Sequence, residues 1–494
     1  MLLRSRRILF LLFSMSFFIV ASSVLFYAYG YRFSIERGVF IYTGSLSLKT
    51  NVETVTIKID GGAIPEKRLG LLNNSIHIAG LNPGEHMIEV EAPGYKSWSK
   101  KVVIQSGLTV EFWNIFLTEE NYIREPVLST ERTLKIFPAP NGLFATVKQN
   151  GNRYSVDVLD ITNEKNEEVF ATTEALFTAT LETNIEWAPE SHKIIIPLVK
   201  DATPLYAVVD IKTKKTFFLN EATAISTPIH SPRWDAITKD LVFFLNQGSL
   251  YRFDTSDVNN QGVFAPAKLV AEHVAAYDLS GNKLYLLNNE TGIVYRQNGS
   301  NADTSPEQIT PSPVVLQDNR TYSLIAYDDT RLSVREKETG TLSVYNKRAE
   351  NSPLKKLGGN IVGLQYSDDG KKLLFYSENE ISVYFNQNWE AQPFRALDSV
   401  SQIARFSTPI KNVQWAEDYE HVIFSLGRNV KMIEIDNRDQ RGLSDLLTLN
   451  TPPLELLPRF PQDALYIVES QANQDNNTVF RITLPQYATN IFGL

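Results

Sequence analysis

Cysteine is absent from all 494 residues. That excludes disulfide staples, a thiol nucleophile, iron–sulfur ligation and thiolate zinc sites. Histidine is sparse. The six, His77, His86, His192, His230, His273 and His421, are scattered, and none forms an H-x-x-x-H or H-E-x-x-H pair for zinc. His192 and His421 fall in or beside turns, where structural roles are expected. No basic stripe follows the N-terminal arginines, and the net charge of −8 comes from interleaved signs. Nucleic acid is therefore not an expected partner. There is no G-x-S-x-G, P-loop, dinucleotide glycine fingerprint or kinase H-R-D motif. Ser367-Asp368-Asp369-Gly370 lacks the tryptophan of an S-x-D-x-G-x-x-W box and reads as a hairpin turn. Asp254-Thr255-Ser256-Asp257 with Asn259, and Asp436 with Asn437 and Asp439, gather oxygens without the spacing of a twelve-residue calcium loop. No catalytic, cofactor-binding or metal-binding residue is assigned, no cofactor is expected, and the chain is read as a non-enzyme.

What is present begins at the N-terminus. Residues 8–29, Ile8 to Tyr29, carry no charge, and Arg4, Arg6 and Arg7 precede them in the short segment 1–7. As a helix this stretch is about 33 Å long, enough for a ~30 Å hydrocarbon core. The arginines favour a cytoplasmic N-terminus and an extracytoplasmic remainder. The same residues contain the parts of a cleavable secretory signal: an apolar core, Ile8–Val20, and small residues at Ala21-Ser22-Ser23. The run nevertheless continues through Val24 to Tyr29 and ends among Tyr27, Tyr29 and Tyr31, which suit a membrane–water interface. The expectation is a single-pass transmembrane helix contacting the lipid bilayer through residues 8–29, followed by a linker over 30–45. No later apolar run approaches 18 residues. With 43% hydrophobic and 11% aromatic residues, the remainder can fill large cores without disulfides.

Residues 46–118 read as short strands. Thr54–Ile59 alternates, with Val55, Ile57 and Ile59 on one face, and Asp60-Gly61-Gly62 supplies a tight turn. Ser75–Ile78, Met87–Val90, Lys101–Ile104 and Thr109–Phe116 continue the pattern, punctuated by Pro83-Gly84 and Pro93-Gly94. A small antiparallel β-sandwich is expected. The run Leu81–Gly107 resembles the PEGA domain: the Pro83-Gly84 turn, the strand His86–Val90, the Gly94-Tyr95 pair, the strand Lys101–Ile104 and the turn Gly107 all match. The longer stretch Ala63–Asn74 departs from the pattern. The resemblance implies an extracytoplasmic β-module acting as surface or spacer, with no catalysis. Tyr95 and Trp98 are expected to cover an open edge of its core.

Residues 127–494 repeat. An aromatic, a polar turn and an apolar strand starting seven positions later recur at Phe137/Phe144, Trp187/Ile194, Trp234/Leu241, Tyr277/Leu284, Tyr366/Leu373 and Trp415/Val422. Two degenerate copies, Gln317/Leu324 and Pro458/Leu465, fit without the aromatic. A second alternating strand follows seven of the eight hairpins, starting at Tyr154, Leu205, Ser249, Gly292, Ile381, Val430 and Thr478. A period of 40–50 residues rich in short strands is the mark of propeller blades. A lone four-stranded blade cannot bury both faces, whereas a closed ring buries them all. The anchor aromatics are expected at blade–blade interfaces. The hairpin is similar to those of TolB-type and WD-like propellers.

The predicted fold class is all-β: one N-terminal transmembrane helix, a small PEGA-like β-sandwich, then a β-propeller of eight blades. Seven remain possible if Leu457–Leu484 shares a blade with the first unit, a strand near the start of the ring then completing the last sheet. The layout resembles bacterial envelope proteins. It leads to the expectation of a membrane-anchored extracytoplasmic binding or scaffold protein, with a protein, peptide or polysaccharide ligand on the propeller face. A structural surface-layer or adhesion component, or a propeller enzyme acting on envelope polysaccharide, are the alternatives.

Overall fold

The computed structural model describes residues 3–34, 38–68, 75–131, 133–139, 142–160, 163, 165–178, 184–225, 227–259, 261–298, 305–349, 353–470 and 476–485. It begins with helix α1, Leu3–Ala28, in which Ile8–Ala28 is long and apolar enough to cross a membrane and is wholly unburied. Gly30, at φ +90°, stops the helix, because a left-handed residue directs the chain out of the helical path. Two strands lie within the stretch read as linker. Strands β1 (Tyr31–Ser34) and β2 (Val39–Tyr42) pair as an antiparallel hairpin.

Seven strands then form the sandwich: β3 (Gly44–Thr50), β4 (Thr54–Ile59), β5 (Gly62–Arg68), β6 (Ile76–Leu81), β7 (Gly84–Glu91), β8 (Trp98–Ile104) and β9 (Thr109–Ile115). They lie in two sheets, β6-β3-β9 and β5-β4-β7-β8. The expectation of a purely antiparallel module needs correction, because β3 and β9 pair in parallel. The first and last strands of the module lie side by side, and of the strands between them β4, β5, β7 and β8 make the other sheet while β6 pairs with β3. Alternation fills the core as the sequence pattern requires: Leu46, Leu48, Val55, Ile57, Ile88, Val90, Val102, Ile104 and Phe112 all point inward.

Beyond the sandwich, the described residues form eight successive sheets. The first strands of these sheets are Thr133–Pro138, the short pair Leu176–Phe177 and Glu186–Trp187, His230–Trp234, Val274–Ser280, Tyr322–Asp328, Gly363–Tyr366, Ile410–Trp415 and Pro453–Arg459. Each sheet shares an apolar cluster with the next. Phe137 and Ile194 meet between the first and second, Trp234 and Val208 between the second and third, and so on around the ring. The cycle closes where Phe144 of the first sheet packs on Tyr466 of the eighth. Strand β10 (Glu125–Glu131) completes the eighth sheet by pairing with Asn476–Thr483. The first unit nonetheless keeps four strands of its own.

The anchor aromatics lie between sheets, and several hydrogen-bond backward to the preceding one. Trp234 Nε1 donates to Glu186 O at 3.2 Å, Trp415 Nε1 to Gln365 O at 3.1 Å, and Tyr277 Oη to Ser231 O at 2.5 Å. The Gln317/Leu324 copy is out of register. Leu324 sits in the first strand of the fifth sheet, opposite Val334, and not in the second strand. Tyr327 is the aromatic there, and Val334 of the second strand stands seven positions after it; the hairpin closes through Asp329-Thr330, a two-residue loop like Gly281-Asn282 of the fourth sheet.

The sandwich is docked on the propeller through the loops of the sixth and seventh sheets. Lys100 is fully buried, and its Nζ lies 2.6 Å from Glu434 Oε1. It also donates to Arg438 O (2.8 Å), Gln440 O (3.0 Å) and Asp436 O (3.3 Å). Trp98 does not merely cover an edge of its own core, because its Nε1 donates to Glu434 Oε2 at 3.2 Å. Both outer strands on this side are capped: Lys101 N donates to Asp439 Oδ2 (2.8 Å) from β8, and Glu111 N to Gln392 Oε1 (3.1 Å) from β9. Capping protects these sheet edges from foreign pairing. The Arg438 guanidinium lies 3.8 Å over the Phe112 ring.

Removing one member of a buried ion pair strands the other and costs about 3–5 kcal/mol. Lys100→Met is therefore expected to loosen the docked sandwich. The amides of Lys101 and Glu111 should then exchange hydrogen about 100-fold faster or more, while amides in the propeller sheets keep their protection. Unchanged exchange at both amides refutes this role.

Candidate functional site

The first strands of the sheets face the ring axis, so their alternate residues decide what the axis offers. A cavity of about 440 Å³ runs along the first strands of the third to sixth sheets and reaches Glu186 of the second. It shares Arg335, Lys337, Val362 and Tyr376 with a wider mouth of about 990 Å³ between the fifth and sixth sheets. The two make a continuous funnel. Gly363 helps to shape it: a Cβ at this position would stand 2.3 Å from Tyr376 Oη, so only glycine lets that ring lie against the first strand of the sixth sheet.

Charge in the funnel is arranged by depth. On neighbouring first strands, Arg233 pairs with Asp278 and faces Glu186, whose Oε1 is 4.0 Å from Arg233 Nε. Asp278 Oδ2 also accepts the Ala326 amide at 2.7 Å, so one carboxylate ties three consecutive sheets together. Burial raises the Glu186 carboxyl above its ordinary value, the nearby Asp278 charge adds to this, and Arg233 only partly offsets it. Towards the mouth both signs are present. Arg335 donates from Nη1 to Ile361 O at 2.8 Å. Lys337 is held below its usual value, first by burial and then by Arg335. His230 is lowered by burial and by Lys337. The rim carries Glu338, Glu378, Glu380 and Arg405, but the Glu338 carboxylate is occupied by the Thr321 amide and hydroxyl. No hydrogen bond or ion pair among the described residues engages the Lys337 ammonium. The funnel therefore offers the Lys337 ammonium to a polar ligand, with tyrosines for stacking.

The residues singled out in the sequence lie elsewhere and are not brought together. His192 and Lys193 converge on Asp240 at 2.8 and 2.6 Å, tying the second sheet to the third. His421 is buried against Asp418 at 2.7 Å; burial opposes its protonation, but the Asp418 carboxylate prevails and raises its pKa. His86 bridges Asp60 and Asn82 O, His77 meets Ser47, and His273 meets Glu290. Asp254 accepts from Ser256, Asn259 from the Gln261 and Val263 amides, Asp436 from Arg438, and Asp439 from Lys101. These oxygens organise turns and the sandwich contact. Among the described residues no group of three His, Asp or Glu side chains could hold a metal. Ser367–Gly370 is a hairpin turn in which Asp369 Oδ1 accepts from Ser367 Oγ and Lys371 N. Sequence reading missed Glu186, Arg233, Asp278, Arg335 and Lys337. Arg233 and Asp278 interrupt first strands with a charge, whereas Arg335 and Lys337 lie near and just past the end of a second strand, in a polar run that gives no such signal.

An acid raised by burial keeps its proton in the folded chain at pH values where the unfolded chain has lost it. Stability then falls as pH rises from the ordinary glutamate range through the raised value. Glu186→Gln removes that penalty. Its melting temperature is expected to match wild type near pH 4 and to exceed it at neutral pH. A variant that melts lower at pH 7 would show that the Arg233 attraction outweighs burial.

Comparison with known proteins agrees with this architecture. Residues 43–119 match the PEGA domain family. The chain is similar in structure to the Dos1 propeller, at 12% identity over 72% of this chain and 95% of that one, with a TM-score of 0.48. It is also similar to Saccharomyces cerevisiae Sqt1 (11%, 73% and 98%, TM-score 0.42) and to the β-propeller domain of Myceliophteria thermophila Cps50, or Swd1 (10%, 72% and 99%, TM-score 0.39). These likenesses concern fold alone. No curated protein matches the chain.

Proposed function

We propose that this is a membrane-anchored, extracytoplasmic binding or scaffold protein of the bacterial cell envelope. In this reading α1 is the retained anchor, with Arg4, Arg6 and Arg7 holding its N-terminus in the cytoplasm. The PEGA domain is a fixed bracket rather than a loose spacer, because Lys100 and Glu434 bind it to the seventh sheet. The propeller is the recognition platform. One observation carries the proposal: an axial funnel of about 990 Å³ opening into about 440 Å³, with the Lys337 ammonium unengaged at the junction. Concave sites with a few convergent polar groups are where proteins hold ligands. The ligand is a protein, peptide or polysaccharide segment bearing acceptors or negative charge.

Two measurements test this. In membranes washed at alkaline pH, the full chain should stay with the lipid, and protease added from outside should digest the propeller. Release into the wash defeats the anchor. Crosslinking in intact cells should then join wild type to one envelope component, and Lys337→Glu should lose that product at least tenfold. Equal capture by both removes the funnel from the reading. Glycan release from cell walls by wild type but not by Glu186→Gln would replace binding with enzymatic turnover.

A further inference from the structure

The hairpin β1–β2 has no part in the funnel, yet it concentrates aromatic surface. Tyr31 pairs with Tyr42 and Phe33 with Phe40, so all four rings share one face of the two-stranded ribbon. Tyr31 and Tyr42 stack at 4.9 Å, and Phe33 meets Phe40 edge-on at 5.3 Å. Phe33 and Phe40 are nevertheless 55% and 64% exposed. A two-stranded ribbon with two bare phenylalanines is poorly suited to water.

Its position supplies the occupant. The hairpin folds back against the end of α1: the Phe26 ring lies 5.3 Å from Tyr31 and 5.9 Å from Phe40. Phe26 belongs to the stretch long and apolar enough to span a bilayer. A bilayer that covers Phe26 therefore also reaches Tyr31 and Phe40. The turn is locked at that depth. Arg32 Nη1 donates to Tyr27 O (2.8 Å) and Tyr31 O (3.0 Å), capping the helix end, and its guanidinium sits 3.5 Å over the Tyr27 ring. Gly30 O accepts from Thr43 N and Thr43 Oγ1 at 3.0 and 2.6 Å. Tyr42 packs so tightly on Gly107 of the sandwich that a Cβ there would come within 2.4 Å of the ring.

We infer that the β1–β2 hairpin is a lipid-binding element, inserted at the headgroup–acyl boundary of the leaflet where α1 emerges. Aromatic rings favour this zone because it takes an apolar body beside a polar rim. The inference rests on α1 being a retained anchor. Through Gly30–Thr43 and Tyr42–Gly107 the immersed hairpin fixes the tilt of the sandwich, and the sandwich in turn orients the propeller.

The test uses the full chain in phosphatidylcholine vesicles, with Phe40→Trp as reporter and wild-type tryptophan emission subtracted. Lipids brominated high on the acyl chain should quench the added indole at least twofold, and iodide in the water should quench it little. Phe33→Trp should behave alike, which guards against one variant folding poorly. Phe17→Trp, in the middle of α1, separates the two readings. Quenching by brominated lipid at position 17 but not at positions 33 and 40 overturns the hairpin inference and leaves the anchor standing. No quenching at position 17 overturns both.

Discussion

Closure of the ring is the constraint on which the rest depends. The eighth sheet is assembled from both ends of the repeat region, with β10 lying beside Asn476–Thr483 and completing the strand order. Without a cysteine in the chain, that join is held by a hydrogen-bonded ladder, by the apolar cluster in which Phe144 packs on Tyr466, and by Arg459 donating to Ala139 O. Opening it would expose two sheet faces and two edges at once, so the cost is shared by the whole ring rather than by one strand. The funnel's walls come from the second to sixth sheets, which follow one another in the chain and pack side by side through shared apolar clusters.

The electrostatics follow from that geometry. Glu186, Arg233 and Asp278 lie on successive sheets more than 40 residues apart. Charges this deep are tolerated when opposite signs meet and remaining lone pairs find donors, as Asp278 finds the Ala326 amide. The Lys337 ammonium finds no hydrogen bond or ion pair among the described residues; burial and Arg335 disfavour its charge, and the Glu338 carboxylate only partly offsets them. A positive group kept unengaged inside a cavity sacrifices stability unless something arrives to meet it. This contrast, a paired depth below an ammonium without a partner, separates the funnel from an ordinary water-filled channel.

Much of the architecture was legible because it depends on alternation and period. Val55, Ile57, Leu46 and Leu48 had to face one core, and Trp187, Trp234 and Trp415 repeated at one offset because each fills the same wedge between neighbouring sheets. The signal was misplaced in the fifth unit, where Gln317/Leu324 was read although Tyr327 and Val334 stand seven apart across the hairpin, and the paired strands β1 and β2 are too short for a period to show. The parallel β3–β9 pair was invisible because pairing between distant strands leaves no local mark. The funnel residues were hidden for the same reason: Arg233 and Asp278 are unremarkable until two sheets place them together.

The same limit explains why a spacer looked reasonable and a bracket is found. Lys100 falls on an alternating strand at a position that faces inward, where lysine is normally a defect. A sandwich standing alone would have to bury its ammonium among Val102, Trp98 and Phe112, at a cost that no local partner offsets. Glu434 and three loop carbonyls of the seventh sheet remove that cost. The lysine is therefore compatible with its strand only when the propeller is present. A residue misplaced for one domain is in this way a statement about two, and it holds the sandwich on the loops of the seventh sheet.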